Sequence, residues 1–93
     1  MKYDIVLTSA FKKELKTIKK RKNDLEKINK IVDILANDEE IDVKYHDHAL
    51  TNSPRFKGCR ELHIEPDWLL VYKKNKTELI LYLMETGTHS DLF

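Results

Sequence analysis

The sequence predicts an α+β fold in a single domain spanning residues 1–93: an N-terminal strand, a two-helix hairpin, then a three-stranded antiparallel sheet. Three observations carry this. Apolar residues recur with a helical period between Phe11 and Leu35, and in alternating or continuous apolar runs from Phe56 onward. The helical and extended stretches are segregated along the chain rather than interleaved, which is the α+β order. Finally, 93 residues are too few for a second core, while 41% hydrophobic and 35% charged residues with only two Gly and two Pro exclude a disordered or low-complexity chain.

Taken in order, Tyr3, Ile5 and Leu7 alternate with Lys2, Asp4 and Val6, giving a short strand with one apolar face. Thr8 or Ser9 supplies a hydroxyl for the first free N–H groups of a helix. In that helix Phe11, Leu15 and Ile18 form one stripe, with Lys12, Lys13, Lys16, Lys19 and Lys20 around it. Asn23, with Glu26 three residues on, is read as the cap of a second helix, whose stripe is Leu25, Ile28, Val32 and Leu35. Asn37 to Asp42 ends it, and residues 43–54 have no period and read as a loop containing the unusual His46-Asp47-His48. Beyond Phe56, Leu62 and Ile64 share one strand face, with Glu61, His63 and Glu65 on the other. Pro66 marks a turn. Trp68 to Tyr72 and Leu79 to Met84 read as strands buried on both faces, joined by a turn at 74–77, and Thr86-Gly87-Thr88 leads into a short tail.

Net charge conceals an asymmetry. Seventeen basic against sixteen acidic residues give +1. Residues 1–30 alone hold ten basic and four acidic side chains, hence +6, against −2 for residues 31–60 and −3 for residues 61–93. The basic N-terminal third is therefore a candidate phosphate-facing surface, although a solvated helix face has the same composition. No apolar run approaches the roughly 20 residues of a membrane helix. The start lacks the apolar run of a signal peptide, and the single Cys59 suits a reducing compartment, so the expected location is the cytoplasm, with no membrane partner.

All four histidines, His46, His48, His63 and His89, lie in the second half. Three chemistries compete for them. A metal site draws on His46, His48, His63, Asp67 and His89, but no spacing matches a zinc motif and Cys59 is placed on the face away from His63, so no metal is expected. Nucleophilic catalysis by Cys59 has only Lys57 and Arg60 nearby to favour a thiolate. Metal-free acid–base chemistry on RNA needs one group to take a 2′-OH proton, another to protonate the departing 5′-oxygen, and cations to hold the phosphate charge. Histidines fill either proton role near neutral pH, and Arg60 and Lys57 are candidate phosphate anchors. His46 is expected to be merely solvent-exposed.

The run from Lys57 to Tyr72, with its His63-x-x-Pro66-Asp67 block, and the run Gly87-Thr88-His89-x-x-Leu92-Phe93 resemble the YafQ branch of the RelE superfamily, toxins of type II toxin–antitoxin modules. The Asp47-His48-Ala49-Leu50 segment resembles the Asp-His-x-Leu that precedes these blocks in that family, and the likeness spans nearly the whole chain. The resemblance implies the RelE-like microbial RNase fold and a ribosome-dependent mRNA endonuclease that needs no cofactor. Its catalytic positions carry over onto His48, His63, Asp67, His89 and Phe93. Arg60, Lys57 and Trp68 complete the expected substrate-binding set. The implied partners are a cognate antitoxin, the ribosome and mRNA, with operator DNA reached only through the antitoxin. The competing expectation is a catalytically inert subunit of the same fold that acts only as an antitoxin-bound corepressor.

Overall fold

The computed structural model describes residues 2–93; Met1 lies outside the described residues. The elements run β1 (Asp4–Leu7), α1 (Ser9–Lys20), α2 (Leu25–Ala36), a 3₁₀ turn (Val43–Tyr45), β2 (His48–Ala49), a second 3₁₀ turn (Pro54–Phe56), β3 (Arg60–Glu65), β4 (Trp68–Asn75), β5 (Ile80–Gly87) and α3 (His89–Leu92). The α+β order is as expected, but the sheet is wider. It has five strands in the order β1-β5-β4-β3-β2, with β3, β4 and β5 antiparallel at its centre. β1 adds to one edge in parallel with β5, and β2 adds to the other.

The helix ends follow local chemistry. Thr8 Oγ1 accepts the Phe11 N–H at 3.0 Å and donates to Met84 O at 2.6 Å, so one hydroxyl caps α1 and ties it to β5. Asp24, rather than Asn23, caps α2, its carboxylate accepting the Glu26 N–H at 3.0 Å. An ionised carboxylate also suits the positive end of the helix dipole, which Asn23 lacks the charge to exploit.

Phe11 and Ile18 of α1 and Ile28, Ile31 and Leu35 of α2 bury one helix stripe each against the sheet. There they meet Tyr3, Leu62, Ile64, Trp68, Leu70, Tyr72, Leu81 and Leu83 in one continuous core. Burying each large apolar side chain contributes roughly 1.5–3 kcal/mol. The opposite face of the sheet has only a small cluster, built from Phe56, Cys59, Leu69, Val71 and Leu92. No described helix is long and apolar enough to cross a membrane.

Four local expectations are corrected. Residues 43–54 are not all loop, since His48 and Ala49 pair with Glu61 and Arg60; two residues are too few to show a period. β3 begins at Arg60, behind the Pro54–Phe56 turn. The β4–β5 turn falls at 76–79 rather than 74–77, because the Asn75 side-chain Oδ1 accepts the Thr77 and Glu78 N–H groups at 3.0 and 2.9 Å and starts the turn there. The C-terminal tail is a helix, closed by a reciprocal capping box between Thr88 and Asp91.

Candidate active site

β3 and β2 create the first half of the site through their register. His48 faces Glu61 directly across the pair, and strand alternation brings His63 to the same face as Glu61. Glu61 is only 3% exposed, and its Oε1 lies 3.7 Å from His48 Nε2 and 3.6 Å from His63 Nε2. A shift in β-pairing between His63 and Glu65 bends the strand end, and the turn that follows presents the Pro66 carbonyl to His63 Nδ1 at 3.3 Å.

The second half comes from the C-terminus. Thr88 starts α3, so His89 occupies its first turn, and the His89 N–H donates to Asp67 Oδ1 at 3.2 Å. Arg21, at the end of α1, grips Asp91 with two guanidinium nitrogens at 2.7 and 3.3 Å. That guanidinium and the capping hydrogen bonds of Thr88 hold the Asp91 carboxyl well below the usual carboxylate range. Gly87 is required beneath this helix: a Cβ there would sit 2.9 Å from Asp91 Oδ2 and 3.0 Å from Asp91 Cβ. Arg55 donates to Leu92 O at 3.3 Å and pairs with the buried Glu85, pinning the tail from below.

The result is a row of rings. Centroids of His48 and His63 are 6.5 Å apart, those of His63 and His89 6.3 Å, and those of His89 and Phe93 5.7 Å. Phe93 is 54% exposed and meets Phe56 edge-on at 5.6 Å, so one aromatic face is free at the end of the row. The hydrogen bonds restrict where protons reside. His48 Nδ1 lies 2.8 Å from His46 O and His63 Nδ1 lies near Pro66 O; a carbonyl only accepts, so both Nδ1 atoms carry hydrogen. Each Nε2 then faces Glu61 either as a lone pair or, in the imidazolium, as a donor. The buried Glu61 carboxylate thus lies within 3.7 Å of both Nε2 atoms, on the side of the two rings away from the carbonyls.

The structure brings His48, His63, Asp67, His89 and Phe93 together. It does not bring Arg60, Lys57 and Trp68 with them. Arg60 donates to Asp47 Oδ2 through Nε at 3.1 Å and Nη2 at 2.8 Å, on the β3 face away from His63, and Tyr72 OH donates to the other Asp47 oxygen at 2.5 Å. A guanidinium so engaged ties β3 to the segment that carries His48. Lys57 lies in the exposed turn before β3. Trp68 is 2% exposed and its indole N–H donates to Thr86 Oγ1 at 2.9 Å, so its side chain packs inside the sheet's core.

Cys59 is on the same sheet face as His63, not the opposite one, because residues 59 and 63 are an even number of steps apart. Burial pushes its thiol up, away from reactivity. No group of three or more His, Cys, Asp or Glu among the described residues is disposed to hold a metal ion. Two contributors were missed in the sequence. Glu61 was placed on the His63 face, but its burial between two imidazoles depends on β2, which carries no periodic signal. His46 is exposed as expected, yet its left-handed backbone (φ 51°) aims its carbonyl at His48, and its ring lies 5.8 Å from that of His63. A left-handed non-glycine residue costs about 1–2 kcal/mol, strain that falls here at the site.

The chain is similar to known proteins over nearly its whole length. Residues 3–93 match the model of a family described as the bacterial toxin of type II toxin–antitoxin system, YafQ. The mRNA interferase toxin YafQ of Escherichia coli strain K12 is 37% identical over 91 residues, 97% of this chain and 95% of that protein. Among solved structures, the toxin in the E. coli DinJ–YafQ complex superposes with a TM-score of 0.87 at 37% identity, covering 98% of both chains. A metal-bound toxin from Helicobacter pylori superposes with a TM-score of 0.90 at 40% identity, covering 98% of this chain and 99% of that one.

Proposed function

The chain belongs to the YafQ family of type II toxin–antitoxin toxins and is an mRNA interferase, an endoribonuclease, and from that premise we propose that it cuts mRNA on the ribosome by metal-free acid–base catalysis with the RNA 2′-OH as nucleophile. The observation that carries this reading is the row of three imidazoles, His48, His63 and His89, with the buried Glu61 behind the first two.

In the reaction the 2′-oxygen forms a bond to the adjacent phosphorus while the bond from phosphorus to the 5′-oxygen breaks. One imidazole takes the 2′-OH proton and another delivers a proton to the departing 5′-oxygen, leaving a 2′,3′-cyclic phosphate and a 5′-OH. His89 serves one transfer and the Glu61-bridged pair of His48 and His63 the other. Glu61, placed between the two rings, fixes where they stand relative to the phosphate. Asp67 acts on His89 through the main chain: accepting its N–H fixes where α3 begins and therefore where the imidazole stands. The free face of Phe93 is placed to stack on a base splayed from the strand.

Around that site, the basic face of α1 is suited to ribosomal RNA phosphates, with Lys12, Lys13, Lys16, Lys19 and Lys20 all exposed. The inhibitor is a cognate antitoxin, as the similar E. coli toxin is found in complex with DinJ. Operator DNA is bound through that antitoxin, and the site of action is the cytoplasm.

Primer extension on an mRNA translated in a purified system tests the reading, comparing wild type with His89→Ala. Cuts at ribosome-occupied codons that disappear in the variant support it. Absence of cuts with wild type, together with normal growth on expression without antitoxin, overturns it in favour of an inert corepressor subunit. A substrate with sulfur in place of the departing 5′-oxygen needs no acid, so it restores cleavage only to variants that have lost the proton donor.

A further inference from the structure

Beside the row of imidazoles, and not part of it, a groove of about 780 Å³ runs between α2 and the Val43–Tyr45 turn, with His63 at its inner end. Its rim is cationic: Lys27 and Lys30 rise from α2, Lys44 stands on the opposite wall, and His46 closes the side nearest the site. Its floor is apolar, from Ile31 and Ile64. One acidic side chain, Glu65, shares the groove and is matched by Lys27 at 3.6 Å. Lys30 and Lys44 have no carboxylate partner among the ion pairs of the described residues. The groove therefore presents a net positive wall that the fold does not neutralise.

We propose that this groove is a second RNA subsite, in which Lys27, Lys30 and Lys44 hold the phosphates of the one or two nucleotides flanking the cleaved bond. The proposal rests on the endonuclease reading above and deepens it. Charge argues for a polyanion, because three lysines on two facing walls surround a single, already matched carboxylate. Continuity argues for the substrate strand itself: His63 lines both groove and site, so a strand whose scissile phosphate lies at the imidazoles enters the groove without turning back. Size argues for a single strand, since ligand pockets of roughly 300–1,000 Å³ take one small molecule and not a duplex. His46 becomes intelligible in this arrangement. Its carbonyl orients His48 while its ring, exposed at the junction, faces the path of the strand.

The test uses the free protein and the same protein in a translation system. A fluorescent single-stranded hexanucleotide, 2′-O-methylated so that it is not cut, is titrated at several salt concentrations against wild type and the K27Q/K30Q/K44Q triple. All three lysines are exposed, and a thermal melt checks that the variant folds. Each single-strand phosphate contact contributes about −0.7 to the slope of log affinity against log salt, so the triple is expected to lose about 2 from that slope. Affinity should fall at least tenfold at low salt, while a K27R/K30R/K44R triple retains it. In the translation system the Gln triple should raise the mRNA concentration for half-maximal cutting about tenfold with little change in the maximal rate.

A slope and half-maximal concentration equal to wild type overturn the subsite, as does a slope change no larger than that of a K12Q/K13Q/K16Q triple on α1. A Gln triple that keeps its RNA affinity but loses that for an acidic antitoxin peptide overturns it in favour of a protein partner. If wild type cuts nothing, the endonuclease reading fails, whereas the binding titration still decides the subsite.

Discussion

The two faces of β3 are made from adjacent residues and do opposite work. Leu62 and Ile64 face the helices and are buried in the main core with Leu70, Ile31 and Leu35. Glu61 and His63, one step along the same backbone, face a side that no long helix covers, and there the chain gathers its titratable groups. The first face excludes water and gains from size and shape. The second keeps polar groups close, with a buried carboxylate and a left-handed His46, both of which oppose stability. The difference teaches that the fold draws its stability from the helix side, which leaves the other side free to hold arrangements a core would not tolerate.

Substitutions on the two faces should therefore separate. His89→Ala removes a proton-transfer group at an exposed position, so the cleavage rate should fall by about 10²–10⁴-fold with an unchanged melting temperature. Leu70→Ala should do the reverse: a loss of about 2–5 kcal/mol by denaturant unfolding, with normal specific activity in the fraction that remains folded. A His89→Ala variant that melts early, or a folded Leu70→Ala variant that is inactive, would break the division of labour.

Glu61→Gln sharpens the comparison, because it keeps the side-chain shape and removes only the charge between the imidazoles. Activity should fall by up to about a hundredfold, as expected of a group that positions two imidazoles rather than carrying the proton to substrate. A cleavage rate equal to that of wild type would reduce Glu61 to a spacer. A smaller effect is expected of Arg21→Ala, which frees Asp91 and loosens α3. The pair is largely exposed and screened by solvent, so the melting temperature should barely change, while His89, carried on α3, loses part of its placement and cutting slows.

How much of this was legible in the sequence divides along the same line. The helix side was readable because Phe11–Leu15–Ile18 and Leu25–Ile28–Val32–Leu35 repeat at helical spacing, and periodicity reports burial directly. On the site side, alternation placed Glu61 and His63 together, and the family-like blocks pointed to His48, Asp67, His89 and Phe93. What was not readable depended on register. The two-residue β2 fixes His48 opposite Glu61, but so short a strand leaves no pattern. Arg60 was taken for a phosphate anchor because its charge is visible and its partner Asp47, thirteen residues away, is not. Trp68 was taken for a substrate contact, although it begins the continuous apolar run already read as buried on both faces, and its side chain is 2% exposed.

One carboxyl joins the two regions and gives the mildest test. Glu14 extends from α1 to β5, where its Oε1 accepts the Thr86 N–H at 3.1 Å beside Glu85 and Arg55. Burial pushes this carboxyl up to about 7, and the neighbouring Glu85 adds to the rise, while the Thr86 N–H and the Arg55 charge act in the opposite direction. Its ordinary value is about 4.5, so the folded state holds the proton more tightly than the unfolded chain does. The resulting stabilisation is complete below pH 4.5 and is lost as the pH rises through about 7. The side chain is partly exposed, which limits the effect to about 1 kcal/mol, or about 4–8 °C in Tm for a domain of this size. Asp38, held near 2 by Lys74 and Lys2, has finished titrating below this window. The measurement is the difference between wild type and Glu14→Gln, in which the contributions of all other groups cancel. Gln still accepts from Thr86 but never charges. The variant should therefore match wild type at pH 4, below the ordinary value, and exceed it by a few degrees at pH 8. Equal melting temperatures at both pH values would mean that the junction between helix and strand tolerates the charge, and that α1 is held to β5 by packing alone.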